Sequence, residues 1–358
     1  MPGVCAMVMW QFNSERQFPP MKLATYRDGS RDGQLLVVSR DLSQAHYASQ
    51  IAHRMQQVLD DWNYLSPQLQ DLSDALNAGR ARHAFAFDPR QCMAPLPRAY
   101  QWVLGNGFPS HGDVIARAAG VLTAADSDRE PLLAQGSGAN FWGAMDPIAG
   151  PRDTAVLDFG AGLAVVTGDL PMGCAADSAL DGVRLFMLCN AVHQYVGPAQ
   201  LLQPGTAFSP VAVTPDELGE AWSRGRLQGQ LQVTWNGRKV GLCDAGTHMH
   251  FHFGKLISAL AHTRPVPAGS VVGSGPVSNK SVERKGRAEW PQGYSSIAEK
   301  RAMETLQDGQ PSTDFMCHGD TVRIEMKGAS GTSIFGAVEQ VVVGAAGVSP
   351  ASAVGQTP

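Results

Sequence analysis

The chain has 358 residues, a formal net charge of −4 and a hydrophobic fraction of 44%. This length suffices for one large or two smaller domains, and the weakly acidic balance gives no electrostatic case for nucleic-acid binding. No apolar run approaches the roughly 20 residues that a membrane-spanning helix needs, so no membrane association is expected. The counts of 39 Gly and 23 Pro are high and favour a turn-rich β architecture over a helical bundle.

The two ends of the chain are expected to lie outside the folded domains. Residues 1–20 have no basic start, and their short apolar run is interrupted by polar residues, which argues against a signal peptide. Met21 begins a clearer strand pattern, so residues 1–20 are interpreted as an extension or a misassigned start. Residues 344–358 are mostly Gly, Ala, Ser, Val and Pro, a composition that predicts a disordered tail.

The first folded region, residues 21–97, is predicted to be a small β domain that begins with a hairpin. Its two short strands, Leu23–Tyr26 and Leu35–Ser39, flank the turn sequence Asp-Gly-Ser-Arg-Asp-Gly. Turn residues between two apolar runs are typical of an antiparallel hairpin.

Two helices are predicted to follow the hairpin. Apolar residues at spacings of four and three predict the first over Ser43–Leu59. The second is expected over Ser66–Ala78, before Gly79. The Pro-rich stretch Ala94–Pro97 then marks the predicted domain boundary.

The second region, residues 98–343, alternates short strand-like runs with turns. Two helices are predicted within it, over Ala175–Leu188 and about Phe251–Leu260. Many short strands with few helices predict an α+β, β-rich sandwich or roll. The predicted strands are Thr154–Thr167, Leu231–Trp235, Ser270–Val272, Thr321–Met326 and Ser333–Val343.

The six cysteines are scattered and form no CxxC motif. This pattern is typical neither of a disulfide framework nor of a zinc site. Cys189 ends an apolar run and is interpreted as a core thiol. Buried, reduced cysteines are expected, and they fit a cytoplasmic protein.

Six segments of the second region carry a resemblance to a known family. In their order they resemble the bacterial two-domain members of the fumarylacetoacetate hydrolase (FAH) family, and the resemblance covers residues 21–343. It implies a mixed β-sandwich roll with a small N-terminal β domain, usually dimeric, so a homodimer is expected. The segments are Phe208–Asp216, Thr234–Arg238, Phe251–Gly254, Gly269–Gly275, Ile297–Arg301 and Gly319–Glu325.

The resemblance also implies a chemistry. Such enzymes cleave a C–C bond in a β-diketo acid by hydrolysis, or they decarboxylate or tautomerise a related keto acid. Mg²⁺ or Ca²⁺ holds the 1,3-dicarbonyl group, a His activates water, and a Lys helps to stabilise the developing negative charge. The cation is needed because a C–C bond breaks only when the charge on the leaving carbon is spread into a carbonyl group.

The acidic residues that would hold this cation are replaced in the present chain. Leu104 stands at the Asp of a D-G-x-x-Y-x-x-H pattern, and Gly160 and Gly162 stand at the two Glu of a D-F-E-x-E pattern. Ala191 stands at the Asp of an N-D-V-S pattern, and the downstream Lys is absent. Because hard cations require oxygen ligands, no metal ligand and no cofactor is predicted.

Several residues of the expected site remain candidates. His111 keeps the His of the first pattern and is predicted to be a general base, unless it is a leftover loop residue. Phe108 replaces the Tyr of that pattern, Tyr195 lies where relatives carry Arg, and Gly275 belongs to a turn near the pocket. These three are predicted to bind substrate. Asp158 is interpreted as a structural hydrogen-bond acceptor rather than a metal ligand.

His248, His250 and His252 occupy alternate positions. In an extended segment their three imidazoles would share one face and could bind a transition metal. A helix is expected to begin near here, however, and helical spacing would spread the rings around the axis. A metal site is therefore not favoured.

Three functions remain open at this point. The chain is a pseudoenzyme or ligand-binding protein, a metal-free enzyme that acts on a β-diketone-like or keto-acid-like small molecule, or an active hydrolase of C–C bonds in β-diketo acids. The metal-free reaction would be an easier one, such as tautomerisation, dehydration or cyclisation. In each case the partner is a small-molecule ligand or substrate.

Overall fold

The computed structural model describes residues 20–121, 130–150, 156–195 and 203–344. Residues 1–19 of the extension expected at 1–20, and residues 345–358 of the tail expected at 344–358, lie outside these ranges. Gly344 itself ends a strand. Within them, no helix combines the length and the apolar character needed to cross a membrane.

The predicted hairpin at the beginning of the chain is present. Strands β1 and β2 pair antiparallel, with Leu23 opposite Val37. The 3-10 turn Pro89–Gln91 follows this part of the chain. Its elements are β1 (Lys22–Tyr26), β2 (Gln34–Val38), β3 (Gln44–Tyr47), α1 (Met55–Asp60), α2 (Trp62–Asn77) and β4 (Phe85–Ala86).

The helix predicted over Ser43–Leu59 is wrong in its first half. Residues 44–47 form β3, which pairs with β2, and only residues 55–60 are helical. Tyr47 packs its ring edge-on against Tyr26 at 6.5 Å, so the pairing buries aromatic surface that a helix would leave apart. The second predicted helix begins earlier than expected, at Trp62, and ends before Gly79, whose φ is +68°.

The remaining elements alternate short strands with five helices in the described part of the chain. The helices are α3 (Pro109–Ala118), α4 (Ala176–Leu180), α5 (Pro215–Leu218), α6 (Phe253–Ala261) and α7 (Ile297–Asp308). The strands are β5 (Trp102–Gly105), β6 (Leu133–Gly136), β7 (Ile148–Gly150), β8 (Leu157–Asp158), β9 (Ala161–Thr167), β10 (Val183–Gln194), β11 (Gly205–Phe208), β12 (Val211–Val213), β13 (Trp222–Ser223), β14 (Arg226–Leu227), β15 (Gln230–Trp235), β16 (Arg238–Asp244), β17 (Val271–Pro276), β18 (Val282–Arg284), β19 (Arg287–Glu289), β20 (Thr321–Met326) and β21 (Val338–Gly344).

Two sheets dominate the described residues. The larger has 12 strands in the order β4-β3-β2-β1-β12-β10-β9-β17-β5-β6, with β11 and β8 attached to β10. The smaller has five strands in the order β16-β15-β20-β21-β7. Because β1 pairs with β12, the hairpin of the first region is continuous with the large sheet of the second.

The large sheet is buried on both faces. Neighbouring residues of its strands belong to different hydrophobic clusters, as Val165 and Val166 do on β9. One cluster includes Met55 and Leu69 of the helices α1 and α2. The other includes residues of the five-stranded sheet, such as Ile324. The architecture is therefore a layer of helices, a large sheet and a second sheet, which confirms the predicted β-rich α+β class.

The helix predicted over Ala175–Leu188 is also wrong. Only residues 176–180 are helical, and the apolar run that follows lies in β10. This strand pairs with β9 on one edge and with β11 and β12 on the other. Its faces are covered as well, because Leu185 and Phe186 point into the two different hydrophobic clusters. A strand buried on both faces has a continuous apolar sequence, which periodicity alone does not distinguish from a buried helix.

Asn190 on β10 joins the two sheets. Its Oδ1 accepts a hydrogen bond from the Gly160 backbone N–H at 3.0 Å, and its Nδ2 donates to Oε1 of Gln340 on β21 at 3.0 Å. Gln340 in turn donates from Nε2 to the Asp146 carbonyl oxygen at 2.7 Å. Asn190 and Gln340 are both buried, so each bond satisfies a polar group that water cannot reach.

The change Asn190→Ala is expected to lower the free energy of unfolding by about 1–3 kcal/mol, because it leaves the Gly160 N–H and the Gln340 Oε1 unpaired in the core. Urea denaturation of the two proteins measures the loss. Asn63→Ala, at an exposed position of α2, is the control and should change stability by less than about 0.5 kcal/mol. Equal effects of the two substitutions would contradict a role for Asn190 in joining the sheets.

Candidate functional site

The site is built around the first turn of α7. Ser296 is the N-cap of this helix, and its hydroxyl accepts a hydrogen bond from the Glu299 backbone N–H at 3.3 Å. Ser followed three residues later by Glu is a capping-box sequence, in which the Glu side chain normally turns back to the N-cap N–H. Here the Glu299 carboxylate instead accepts a hydrogen bond from the Ser278 hydroxyl, and its second oxygen remains for another partner.

Asp158 on β8 contacts the beginning of α7 instead. Its carboxylate accepts hydrogen bonds from the backbone N–H groups of Ile297 and Ala298, at 2.5 and 2.9 Å, and from the Ser296 hydroxyl at 2.9 Å. Burial raises the pKa of Asp158 to about 6, and these hydrogen bonds oppose the rise. The structure thus places Asp158 as a structural acceptor that fixes α7 against the sheet.

His111 and Glu299 face each other across the gap between α3 and α7. The distance between His111 Nδ1 and Glu299 Oε2 is 3.7 Å. Both atoms are shielded from solvent, and neither has a hydrogen-bond partner among the described residues. The other carboxylate oxygen of Glu299 accepts a short hydrogen bond from the Ser278 hydroxyl, which fixes its orientation. At this separation the two groups interact electrostatically but do not form a hydrogen bond.

Two further rings lie beside Asp158 and His111. Tyr195 donates from its hydroxyl to Asp158 Oδ2 at 3.3 Å, and its ring stacks with that of His193 at 6.4 Å. Burial of the phenol, and then the charge of Asp158, raise the pKa of Tyr195 well above its usual value. The phenol therefore remains a hydrogen-bond donor at neutral pH. Burial likewise lowers the pKa of His193, so that its ring remains neutral.

The other two predicted substrate-binding residues are inside the fold. Phe108 is 2% exposed and lies in the larger hydrophobic cluster immediately before α3. Gly275 has a φ of +77°, and a Cβ at this position would lie 2.3 Å from the Gly105 carbonyl oxygen. Phe108 is a core residue at the beginning of α3, and Gly275 allows β17 to pass close to the Gly105 backbone. Their contact with substrate stays a prediction.

Two of the four positions at which the family pattern carries acidic residues are closed by the backbone. A Cβ at Gly160 would lie 2.6 Å from the Ala191 carbonyl oxygen, and one at Gly162 would lie 2.5 Å from the Gly275 carbonyl oxygen. Leu104 packs against the second hydrophobic cluster, and Ala191 is buried. These residues offer no side-chain oxygen, so they do not fit a hard cation.

The histidines at 248, 250 and 252 do not share a strand face, so the extended arrangement is wrong. They precede α6, and His252 is its N-cap residue. His248 Nδ1 lies 3.3 Å from the Lys280 backbone N–H, which donates to it. Among the residues that the structure describes, no group of three or more His, Cys, Asp or Glu side chains could hold a metal ion.

The fold and the site define a two-domain, strand-rich protein with a histidine–carboxylate pair beneath the sheet. The model of the fumarylacetoacetase N-terminal domain 2 matches residues 21–98, and that of the fumarylacetoacetate (FAA) hydrolase C-terminal domain matches residues 101–343. The chain belongs to the fumarylacetoacetate hydrolase family, and the resemblance seen in its sequence is confirmed. The comparison with curated proteins gives no match.

Solved structures share this fold at low sequence identity. Maleylpyruvate hydrolase from Sphingobium sp. SYK-6 is 13% identical, with a TM-score of 0.60, over 90% of this chain and 100% of that one. A probable 2-hydroxyhepta-2,4-diene-1,7-dioate isomerase from Mycobacterium abscessus is 15% identical, with a TM-score of 0.61, over 91% and 98%. A fumarylacetoacetate hydrolase from Exiguobacterium antarcticum is 15% identical, with a TM-score of 0.56, over 90% and 99%.

Sequence reasoning missed Glu299. It recognised the segment Ile297–Arg301 as part of the family resemblance but assigned no role to its carboxylate. The capping-box spacing from Ser296 to Glu299 was the available signal, but on its own it indicates only the beginning of a helix. The contact with His111 depends on how α3 and α7 pack, which no local pattern shows.

The change Gly162→Ala is expected to destabilise the fold by about 1–3 kcal/mol, because the added Cβ meets the Gly275 carbonyl oxygen at 2.5 Å and the strands must shift. The control is Gly112→Ala in α3, where nothing lies within 4 Å of the added Cβ. This control should stabilise the helix by about 0.5–1 kcal/mol. Thermal unfolding of both variants checks the difference, and a neutral Gly162→Ala would show that the metal position is still open.

Proposed function

We propose that the protein is a metal-independent enzyme that transfers a proton on a small β-diketone-like or keto-acid-like molecule, with His111 as the base. The observation that carries the proposal is the pairing of His111 Nδ1 with Glu299 Oε2 at 3.7 Å, with both atoms shielded from solvent. A protein that only bound a ligand would have no need for two titratable groups held in this way. Tautomerisation is a class of reaction that requires only proton transfer by such a pair.

Glu299 fixes the tautomer of His111 in this proposal. When Nδ1 carries the proton, it faces the carboxylate, and Nε2 keeps its lone pair for the substrate. Imidazole–carboxylate pairs work in this way because the carboxylate orients the ring and stabilises the imidazolium that forms. The separation of 3.7 Å is longer than a hydrogen bond, and such contacts often tighten when substrate binds.

The substrate class follows from what the site lacks. A carbon between two carbonyl groups loses a proton readily, because both oxygens share the resulting charge. Such a substrate needs less electrophilic assistance than cleavage of a C–C bond, for which a cation or an oxyanion donor lowers the barrier. With Leu104, Gly160, Gly162 and Ala191 at the acidic positions, the site suits proton transfer better than hydrolysis.

Aromatic rings lie beside the histidine–carboxylate pair. Tyr195 supplies a hydroxyl and a ring where relatives carry Arg, and its ring packs against Phe315 at 5.3 Å. The Arg301 guanidinium lies over the Phe315 ring at 4.8 Å and donates to the Thr313 carbonyl oxygen, so a substrate on this side meets the Tyr195 phenol in place of the Arg of relatives. We therefore propose a less anionic substrate than fumarylacetoacetate, bound by a homodimer in the cytoplasm.

Wild-type protein is expected to accelerate exchange of the C3 protons of acetylpyruvate for deuterium, followed by ¹H NMR in D₂O with EDTA present. The change His111→Ala should lower the catalysed rate by about 10²–10⁴-fold, the usual contribution of a general base. Glu299→Gln should lower it less, because the ring remains but its orientation is lost. His318→Ala, at an exposed position, is the matched control and should leave the rate unchanged.

Three outcomes of this exchange experiment discriminate between the functions. Exchange that is lost in His111→Ala and indifferent to EDTA supports the proposal. No exchange above the protein-free rate contradicts it and favours a ligand-binding protein. Exchange that requires Mg²⁺ contradicts it as well and favours the metal-dependent hydrolase.

Mg²⁺ and Ca²⁺ are expected to bind without a defined site, because the acidic positions carry no oxygen donors. Calorimetric titration should show no one-to-one binding, and hydrolysis of an acylpyruvate with added Mg²⁺ should stay at the uncatalysed rate. Loss of a single oxyanion-stabilising donor costs about 2.7–4 kcal/mol, and loss of the cation together with the Lys should cost at least as much. One site per chain with micromolar affinity, or Mg²⁺-dependent pyruvate release, would overturn this expectation.

A further inference from the structure

A second cleft lies beside the first turn of α3. Its volume is about 460 Å³. Ser110 and Asp113 of α3 contribute to one wall, and His111 of the same helix turn faces α7 instead. The remaining charged and polar side chains of its lining include Arg226, His248, Lys255 and Lys280.

Three cations, Arg226, Lys255 and Lys280, line this cleft. Arg226 donates from Nε to the Met249 carbonyl oxygen at 2.8 Å and from Nη2 to that of His250 at 3.3 Å. These bonds fix its guanidinium without neutralising the charge. Asp113 is the opposing charge on the wall, so the cations outnumber the carboxylate.

The positive charges that line the cleft also act on His252, a neighbouring titratable residue. Burial lowers the pKa of His252, the charges of Arg226 and Lys255 lower it further, and the charge of Asp177 opposes them. Two positive residues are therefore close enough to act on one imidazole. In a chain with a net charge of −4, such a concentration of cations is local rather than general.

His248 adds a ring N–H donor to the same cleft. Its Nδ1 accepts from the Lys280 backbone N–H at 3.3 Å and from the Asn279 amide at 3.2 Å. Backbone N–H and amide NH₂ groups can only donate, so the proton of the neutral ring resides on Nε2. His248 therefore has a defined tautomer, and its Nε2–H can donate to an acceptor in the cleft.

We propose that this cleft binds a phosphate-type dianion, either free or carried as a phosphomonoester. Lysine ammonium groups act as point charges that suit a compact tetrahedral anion. Arg226 spends Nε and Nη2 on carbonyl oxygens, so it does not offer the fork that clamps a planar carboxylate. Pro109 and Ser110, the first two residues of α3, also line the cleft, and the positive end of this helix adds to the attraction.

The cleft is connected to the histidine–carboxylate pair. The Ser110 hydroxyl contacts the Ser278 hydroxyl at 3.0 Å, and Ser278 donates to Glu299. A dianion in the cleft would therefore rest on the helix turn that carries His111. Binding itself needs no catalysis, so it is tested separately from the proposed reaction.

The test is a calorimetric titration of the full chain with inorganic phosphate and, in a second arm, with glycerol phosphate, at constant ionic strength. Saturable one-to-one binding is expected in at least one arm. The double variant Lys255→Gln/Lys280→Gln should weaken it by at least about tenfold, since two charge-assisted contacts are lost. Both side chains are exposed, so the variant is expected to fold, which its thermal unfolding in phosphate-free buffer verifies.

The matched control, Lys239→Gln/Lys285→Gln, removes the same charge from exposed positions that do not line the cleft. It should change the affinity by less than about twofold, since exposed charges are screened. Tighter binding of glycerol phosphate identifies a phosphomonoester as the ligand class, and tighter binding of phosphate identifies the free ion. Equal weakening in both double variants, or no saturation in either arm, would overturn the proposal.

Discussion

The contact between Asp158 and the beginning of α7 determines the geometry of the whole site. Asp158 is the last residue of β8. Its carboxylate accepts hydrogen bonds from the first two backbone N–H groups of the helix and from the Ser296 hydroxyl. The helix N-terminus attracts the negative charge, which offsets part of the cost of burying it. Because α7 is fixed in this way, Glu299 faces α3 and comes within reach of His111.

This arrangement relieves Glu299 of its usual local role. In a capping box its carboxylate would bind the N-cap N–H, but here it is oriented by Ser278 and faces His111. Departures from local rules of this kind are expected where a residue has a function. At Gly160 and Gly162, by contrast, a side chain would meet the Ala191 or the Gly275 carbonyl oxygen, so the backbone leaves no room for a larger residue at these two positions.

Much of the fold was predictable from the sequence, and the errors have physical causes. The hairpin at residues 22–38, the strand Thr321–Met326 and the β-rich class followed from turn residues and alternation. The strand β10 was taken for a helix, because a strand covered on both faces shows no alternation. The strand β3 was included in a predicted helix because its four residues are too few to show a period of their own. In the site, His111 was identifiable from its motif. Its partner Glu299 was not, since their contact arises from tertiary packing.

The most direct test of the central claim is the tautomer of His111, measured by ¹H–¹⁵N correlation spectra of its imidazole in metal-free protein. A proton on Nδ1 and a bare Nε2 are predicted, with the preference weakened in Glu299→Gln. Addition of Mg²⁺ should leave these signals where they are. A proton on Nε2 in the wild type, or signals that are identical in Glu299→Gln, would contradict the account of a carboxylate-oriented base.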